Sequence, residues 1–336
     1  MRRFVLIFLL LSSFVLQAEE RGVFRFWWNM GNVRDGYVNG VAEYRPDRDG
    51  ATTTVGLNVV DTKGASIEGA KVLFRVFTTF DHCNKIIRDT DAKGYCEVSA
   101  KTRGEITVVV DKDGYYTSYG TLKYRNLSWE DSVIEHKWTR GVVLNQIVMK
   151  PVVKPQKHLT GGMTLRPPPV LNKLVPFDAF MFDWCSPYGK GVTSDFFIGC
   201  YDVTNATQKR VRGVRIIADR CVDGFLAAKP DKWSKFKYAL MADIGADYKR
   251  EVRYGSVLND EGVLEEGPSL CNGEYLIFRT RSETNEVGRV VSSNYGLIGE
   301  SLDFQTGLTL SVQVNPKRND TSLEHDWAYR LMKKGR

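Results

Sequence analysis

Asp183 and Asp195 stand on either side of a short turn, Pro187-Tyr-Gly-Lys-Gly191, with Trp184 and Tyr188 between them. Carboxylates beside aromatic rings are what a sugar site requires. The apolar face of a sugar ring stacks on an indole or phenol, and its hydroxyls donate hydrogen bonds to the acids. Two such acids could also carry glycosidase chemistry, one as general acid and the other as base or nucleophile, if held about 5–5.5 or 6.5–9.5 Å apart. Asp183, Trp184, Tyr188 and Asp195 are therefore the candidate binding residues. A plain hairpin accounts for the same pattern. Trp184 lies in alternation with Phe180 and Phe182 and is expected in a core, whereas Tyr188, beside Gly189, is expected to be exposed in the turn.

Other constellations carry less. A nucleophile needs a base within hydrogen-bond reach, and the 4 histidines, His82, His136, His158 and His325, stand in no catalytic context. His82 adjoins Cys83, but neighbouring side chains diverge on a strand. Neither a G-x-S-x-G elbow nor an H-E-x-x-H helix motif occurs. Gly189-Lys190-Gly191 with Thr193-Ser194 lacks the order of a phosphate loop, because glycine follows the lysine where Ser or Thr is needed. The turns Asp47-Arg-Asp49-Gly50, Asp89-Thr-Asp91-Ala-Lys-Gly94 and Asp111-Lys-Asp113-Gly114 cluster carboxylates as calcium loops do. A calcium loop, however, would place ligands where Lys93 and Ala100 stand, so turn chemistry explains them. No residue is assigned a catalytic role, no metal ligand set is found, and no cofactor is implied.

The elements that must position these residues read as strands. From Thr53 onward, short β-branched and aromatic runs are broken by Gly and Asp turns, and alternation puts Val55, Leu57 and Val59 on one face and Val72, Phe74 and Val76 on another. Opposed apolar rows of this kind close into an antiparallel sandwich over residues 51–153. A Pro-rich stretch, 154–170, separates it from a second β-rich region, 171–336, read as a larger jelly-roll-like sandwich. One helix is expected there, from Asp231 as N-cap through Trp233, Phe236 and Leu240. The fold class is thus all-β, with two sandwich-like domains.

The turns of the first domain also carry a resemblance. Asp61-Thr-Lys-Gly64, Ile67-Glu-Gly-Ala70-Lys-Val72, Thr90-Asp91-Ala-Lys-Gly94-Tyr-Cys96 and Gly114-Tyr115-Tyr116 resemble the carboxypeptidase regulatory-like, or transthyretin-like, Ig-like domain, with Cys96 where that family usually has an apolar or aromatic residue. The resemblance implies a fold and little about function, since such modules accompany many activities. In the second half, Asp183-Trp184, Pro187-Tyr-Gly-Lys-Gly191, Asp195-Phe-Phe, Tyr275-Leu-Ile-Phe278-Arg-Thr-Arg281, Tyr295-Gly296, Asn315-Pro316, Asn319-Asp320 and Leu323-Glu-His-Asp326 together resemble a group of uncharacterised exported bacterial proteins of planctomycete and verrucomicrobial type.

The start of the chain points to export. Arg2-Arg3, an apolar run from Phe4 to Leu11 and a small residue at Ala18 form a secretory signal peptide, 1–18. An aromatic and Gly-rich segment, 19–50, follows with Phe24, Phe26, Trp27 and Trp28. Losing Arg2 and Arg3 takes the 47 Lys+Arg to 45 against 40 Asp+Glu, a net charge of +5 in place of +7. A surface this weakly basic, with both signs interspersed, argues against a nucleic-acid partner, and no later apolar stretch reaches the length of a transmembrane anchor. The 6 cysteines, Cys83, Cys96, Cys185, Cys200, Cys221 and Cys271, would meet an oxidising compartment and are candidates for disulfides, with connectivity open. The expectation is an exported protein, periplasmic, on the cell surface or secreted. It would be a non-catalytic binder of a protein or glycan of the envelope, the alternative being a secreted carbohydrate-active hydrolase with its carboxylates in the second domain.

Overall fold

A computed structural model describes residues 37–38, 41–42, 49–78, 83–124, 133–138, 146–165, 169–205, 207–265, 273–299 and 308–326. The expected leader 1–18, the aromatics Phe24, Phe26, Trp27 and Trp28, His82 and Cys271 lie outside them. The described residues have an all-β fold and form two sandwiches.

In the first, the long strand Ala51–Asp61 pairs antiparallel with Tyr95–Thr102 and parallel with Gln146–Met149 and Lys137–Trp138. Facing it is a sheet ordered Cys83–Asp89, Lys71–Phe77, Glu105–Asp111, Ser118–Lys123. Every second residue of the central strands is turned inward. Val55, Leu57 and Val59 meet Val72, Phe74 and Val76 and the Ile106, Val108, Val110 row, all buried. Each such side chain contributes about 1.5–3 kcal/mol by leaving water, which is what holds the two sheets together. Cys96 fills a core position as a small apolar group, and burial pushes its thiol up to about 11.

The Asp turns serve the chain itself. Asp61 Oδ1 accepts from the N–H groups of Lys63 and Ala65, and Asp91 Oδ1 from those of Lys93 and Tyr95. Gly94 closes its turn at φ +72, where an added Cβ would strike the Val59 carbonyl, so only glycine fits.

The second sandwich stacks two five-stranded sheets. One is ordered Leu159–Leu165, Leu308–Val314, Val290–Ile298, Tyr275–Thr284, Gly224–Ala228. The other runs Asp183–Trp184, Leu174–Asp178, Phe196–Thr204, Arg210–Ala218, Glu251–Gly255. Their shared core joins Val175, Phe177, Phe196 and Ile198 to Phe225, Phe278, Leu310 and Val312. The Pro-rich stretch 154–170 therefore contains a strand of this sandwich, paired with Leu308–Val314 over its whole length.

The C-terminal turn clasps the connection between the sandwiches. Buried Glu324 accepts from the N–H groups of Val153 and Lys154, and Asp320 from Lys154 Nζ and Gln156 Nε2. His158 and His325 meet edge to face, 5.7 Å between ring centroids.

The expected helix from Asp231 to Leu240 is absent; these residues form a loop seated on the first sandwich. Asp231 N–H donates to the Lys237 carbonyl, and Asp231 Oδ1 accepts from Trp233 N–H. Lys150 Nζ of the first sandwich donates to the carbonyls of Phe236 and Tyr238, groups a helix would have bonded internally. Tyr116 and Phe236 stack at 5.0 Å across the junction. Tertiary partners for both backbone and ring override a weak helical pattern.

The five described cysteines, Cys83, Cys96, Cys185, Cys200 and Cys221, are free thiols. Cys96 and Cys200 explain why the disulfide expectation fails for them: each is packed inward among apolar side chains.

Candidate functional site

One end of the second sandwich gathers four loops: residues 179–195, the turn 219–223, the irregular stretch 280–284 and the turn at Lys317–Asp320. At its base Arg281 spans two buried carboxylates. Its Nε donates to Asp195 Oδ1 at 2.9 Å, and its Nη2 to Asp195 Oδ2 and Asp178 Oδ1, each at 3.0 Å.

The remaining valences of both acids are taken. Asp195 also accepts from Thr280 Oγ1 and Ala179 N–H, while Asp178 accepts from the N–H groups of Phe180, Met181, Val192 and Thr193. Burial alone would raise the Asp178 carboxyl, but those four backbone donors outweigh it and hold the group below the usual carboxylate range. The Phe180 ring lies 3.8 Å from the Arg281 guanidinium carbon and covers it, leaving the side chain 26% exposed.

The backbone is bent to make this node. Tyr275–Thr284 shifts register against Val290–Ile298 between Thr280 and Glu283, and Arg281 sits in that shift at φ 53. Phe182, in the facing loop, also has φ 53, with its ring across Gly161 of the other sheet. Left-handed residues with bulky side chains persist only where surrounding contacts impose them, and such positions concentrate at functional loops.

More arginines tie down the same end. Arg220 donates to the Ser282 carbonyl and Arg318 to that of Arg281, while Arg318 also pairs with Glu283 at 2.8 Å. Asp223 is buried beneath Ser282, and burial raises its carboxyl.

The four sequence candidates fall in this loop with separate duties. Trp184 is 6% exposed and packs edge to face on Phe177 at 5.5 Å, so it belongs to the core. Tyr188 is 44% exposed at the tip. Asp183 caps the hairpin, its Oδ1 accepting from Trp184 N–H and its Oδ2 from Lys190 N–H. Asp195 lies in the base with Arg281. The carboxylates brought together are Asp178 and Asp195, with Arg281 between them. The segment ending at Arg281 is one of those that carry the second-half resemblance, but alternation gives no weight to a polar residue such as Asp178 at a strand end, and the two stand 103 positions apart.

The same loop leaves Met181, Tyr188 and Val192 exposed, the last at 84%, and Lys190 is exposed in the turn between them. Among the described residues no three His, Cys, Asp or Glu side chains converge as metal ligands.

No protein-family model and no curated protein matches the chain. Among solved structures it is similar to 3-chlorocatechol 1,2-dioxygenase from Rhodococcus opacus 1CP, at 14% identity over 32% of this chain and 63% of that one, with a TM-score of 0.24. The chain thus spans less than two thirds of that dioxygenase. An Acinetobacter radioresistens catechol 1,2-dioxygenase variant aligns over 43% of this chain and 70% of its own at 12% identity and a TM-score of 0.24. A DUF3823 family protein from Parabacteroides merdae aligns over 79% of this chain and 96% of its own, at 8% identity and a TM-score of 0.21.

Proposed function

We propose that the chain is an exported, non-catalytic protein of the cell envelope or surface that holds a protein or glycan partner on the 181–192 tip. The observation that carries this reading is the pairing of an exposed apolar tip with a buried, fully bonded support. Met181 and Val192 donate their own backbone amides to Asp178, and Asp178 is itself held by Arg281. A tip fixed in this way loses little conformational freedom on binding, which is how rigid loops gain affinity. Both acids of the alternative hydrolase, Asp183 and Asp195, are engaged by backbone or Arg281 donors and would have to be withdrawn to reach a substrate.

The test is a glycan array and envelope-component binding with the secreted protein, alongside release of reducing ends from the same glycans. Binding without release is expected, with Tyr188→Ala weakening it by about 1–3 kcal/mol. Reducing-end release that Asp183→Asn or Asp195→Asn abolishes would replace this reading with the hydrolase.

A further inference from the structure

The loop between Lys229 and Lys237 is placed by the junction of the two sandwiches. Ser234 and Phe236 are buried, Ser234 bridging to Ser118 and Phe236 stacking on Tyr116. The Lys235 N–H donates to the Thr117 carbonyl, and the Tyr119 N–H to that of Trp233. What remains faces outward: Lys229, Lys232 and Lys235, with Trp233 53% exposed between them in the sequence, while Lys237 lies over the Tyr238 ring. The loop's acid, Asp231, is turned to Lys150 of the first sandwich at 3.4 Å. Lys229, Lys232 and Lys235 have no carboxylate partner among the described residues.

An exposed indole on an anchored backbone, with three exposed lysines within four positions of it in the sequence, is an unusual surface to leave in water, since large aromatics are normally covered. We propose that this loop is a second docking surface, for a strand of acidic polysaccharide, separate from the 181–192 tip. The indole face would stack on a sugar ring, and the lysines would pair with the carboxylate or sulfate groups carried along the chain. An anionic bilayer offers charge but no sugar ring for the indole face, and it is the alternative that the vesicle arm of the test separates.

The test is affinity electrophoresis of the full chain through gels containing polygalacturonate or neutral dextran, with sedimentation on phosphatidylglycerol vesicles in parallel. Retardation by polygalacturonate alone is expected, weakening as salt rises through the screening range. The pair Lys232→Gln, Lys235→Gln should raise the apparent Kd at least roughly tenfold, as loss of two charge contacts would. Trp233→Ala should weaken retardation with the thermal midpoint unchanged, which separates a lost contact from a lost fold. Tyr188→Ala should leave it intact, so failure of the tip proposal and failure of this one are read independently. No retardation, equal retardation by dextran, indifference to the lysine pair, or binding to vesicles without binding to polygalacturonate would each overturn the proposal.

Discussion

The two sandwiches solve the same packing problem with different chemistry. Among the described residues, the buried polar positions of the first are hydroxyl groups, Thr53, Thr90, Thr102 and Ser118. The second buries Asp178, Asp195, Arg215, Asp223, His158, Asp320 and Glu324. The first is therefore held by apolar rows and by turns whose aspartates stay at the surface. The second spends desolvation energy on titratable groups. Asp178 and Asp195 are compensated by Arg281 and backbone donors, Arg215 by Glu251 and Asp260, and Asp320 and Glu324 by Lys154, Gln156 and backbone amides. His158 Nε2 and Arg215 Nε are buried without a hydrogen-bond partner among the described residues. Asp178, Asp195 and Asp223 lie at the loop end and fix its geometry, while Asp320 and Glu324 fix the connection between the sandwiches.

Breaking the comparison at its centre gives the largest effect. Arg281→Ala leaves Asp178 and Asp195 buried without their cation and should cost about 3–5 kcal/mol, lowering the thermal midpoint by roughly 10 °C. Phe74→Ala in the first sandwich should cost a similar amount, about 3–5 kcal/mol, by leaving a cavity. The two losses differ in how they are rescued. Phe74→Leu restores much of the apolar volume, whereas Arg281→Lys cannot reproduce a guanidinium that reaches two carboxylates at once. Thermal melts of the four variants check this, and equal rescue at both sites would remove the distinction.

Acid sharpens the comparison from another side. Burial, with His325 alongside, lowers His158 to about 4, against opposing pulls from Asp320 and Asp326. A histidine whose folded value lies below its unfolded one resists protonation in the fold. Its destabilising contribution therefore begins below the unfolded value and grows as pH falls toward 4. The chain should lose about 2–3 kcal/mol between pH 7 and pH 4 from this group, and His158→Gln should flatten that slope in melts across the range. Asp320, lowered to about 2 by bonds to Lys154, Gln156 and Ser322 that outweigh its burial, adds stability above the usual carboxylate range that fades only as pH falls toward 2.

Smaller effects belong to the hairpin. Asp183→Ala frees two backbone donors at a partly exposed turn and should cost about 1 kcal/mol. Tyr188→Ala should change stability by less than about 0.5 kcal/mol, so any loss of binding it causes is a property of the tip. A large stability loss in Tyr188→Ala would mean that the ring is packed and that the tip is no docking surface.

Much of the first sandwich was legible in the chain because its physics is local. Val55, Leu57 and Val59 alternate with polar residues, and the pleat alone sends them to one side. Asp61 and Asp91 bond amides within four positions of themselves, so the turn is readable from adjacent letters. Trp184 and Tyr188 sorted by the same rules, one on an alternating strand and the other beside a glycine.

Where partners are remote, the pattern failed. The helix expected at Asp231–Leu240 gave way to a loop because Lys150 and Tyr116, far away in the sequence, offer its carbonyls and its Phe236 ring better partners than a helix could. Asp195 looked like a partner for Asp183 because the two are close in the chain, yet it is shared with Asp178 through Arg281. Apolar periodicity is written residue by residue, since each side chain answers only to water and the pleat. A buried charge answers to whichever donors the closed sandwich brings within about 3 Å, and only the tertiary structure decided which those were.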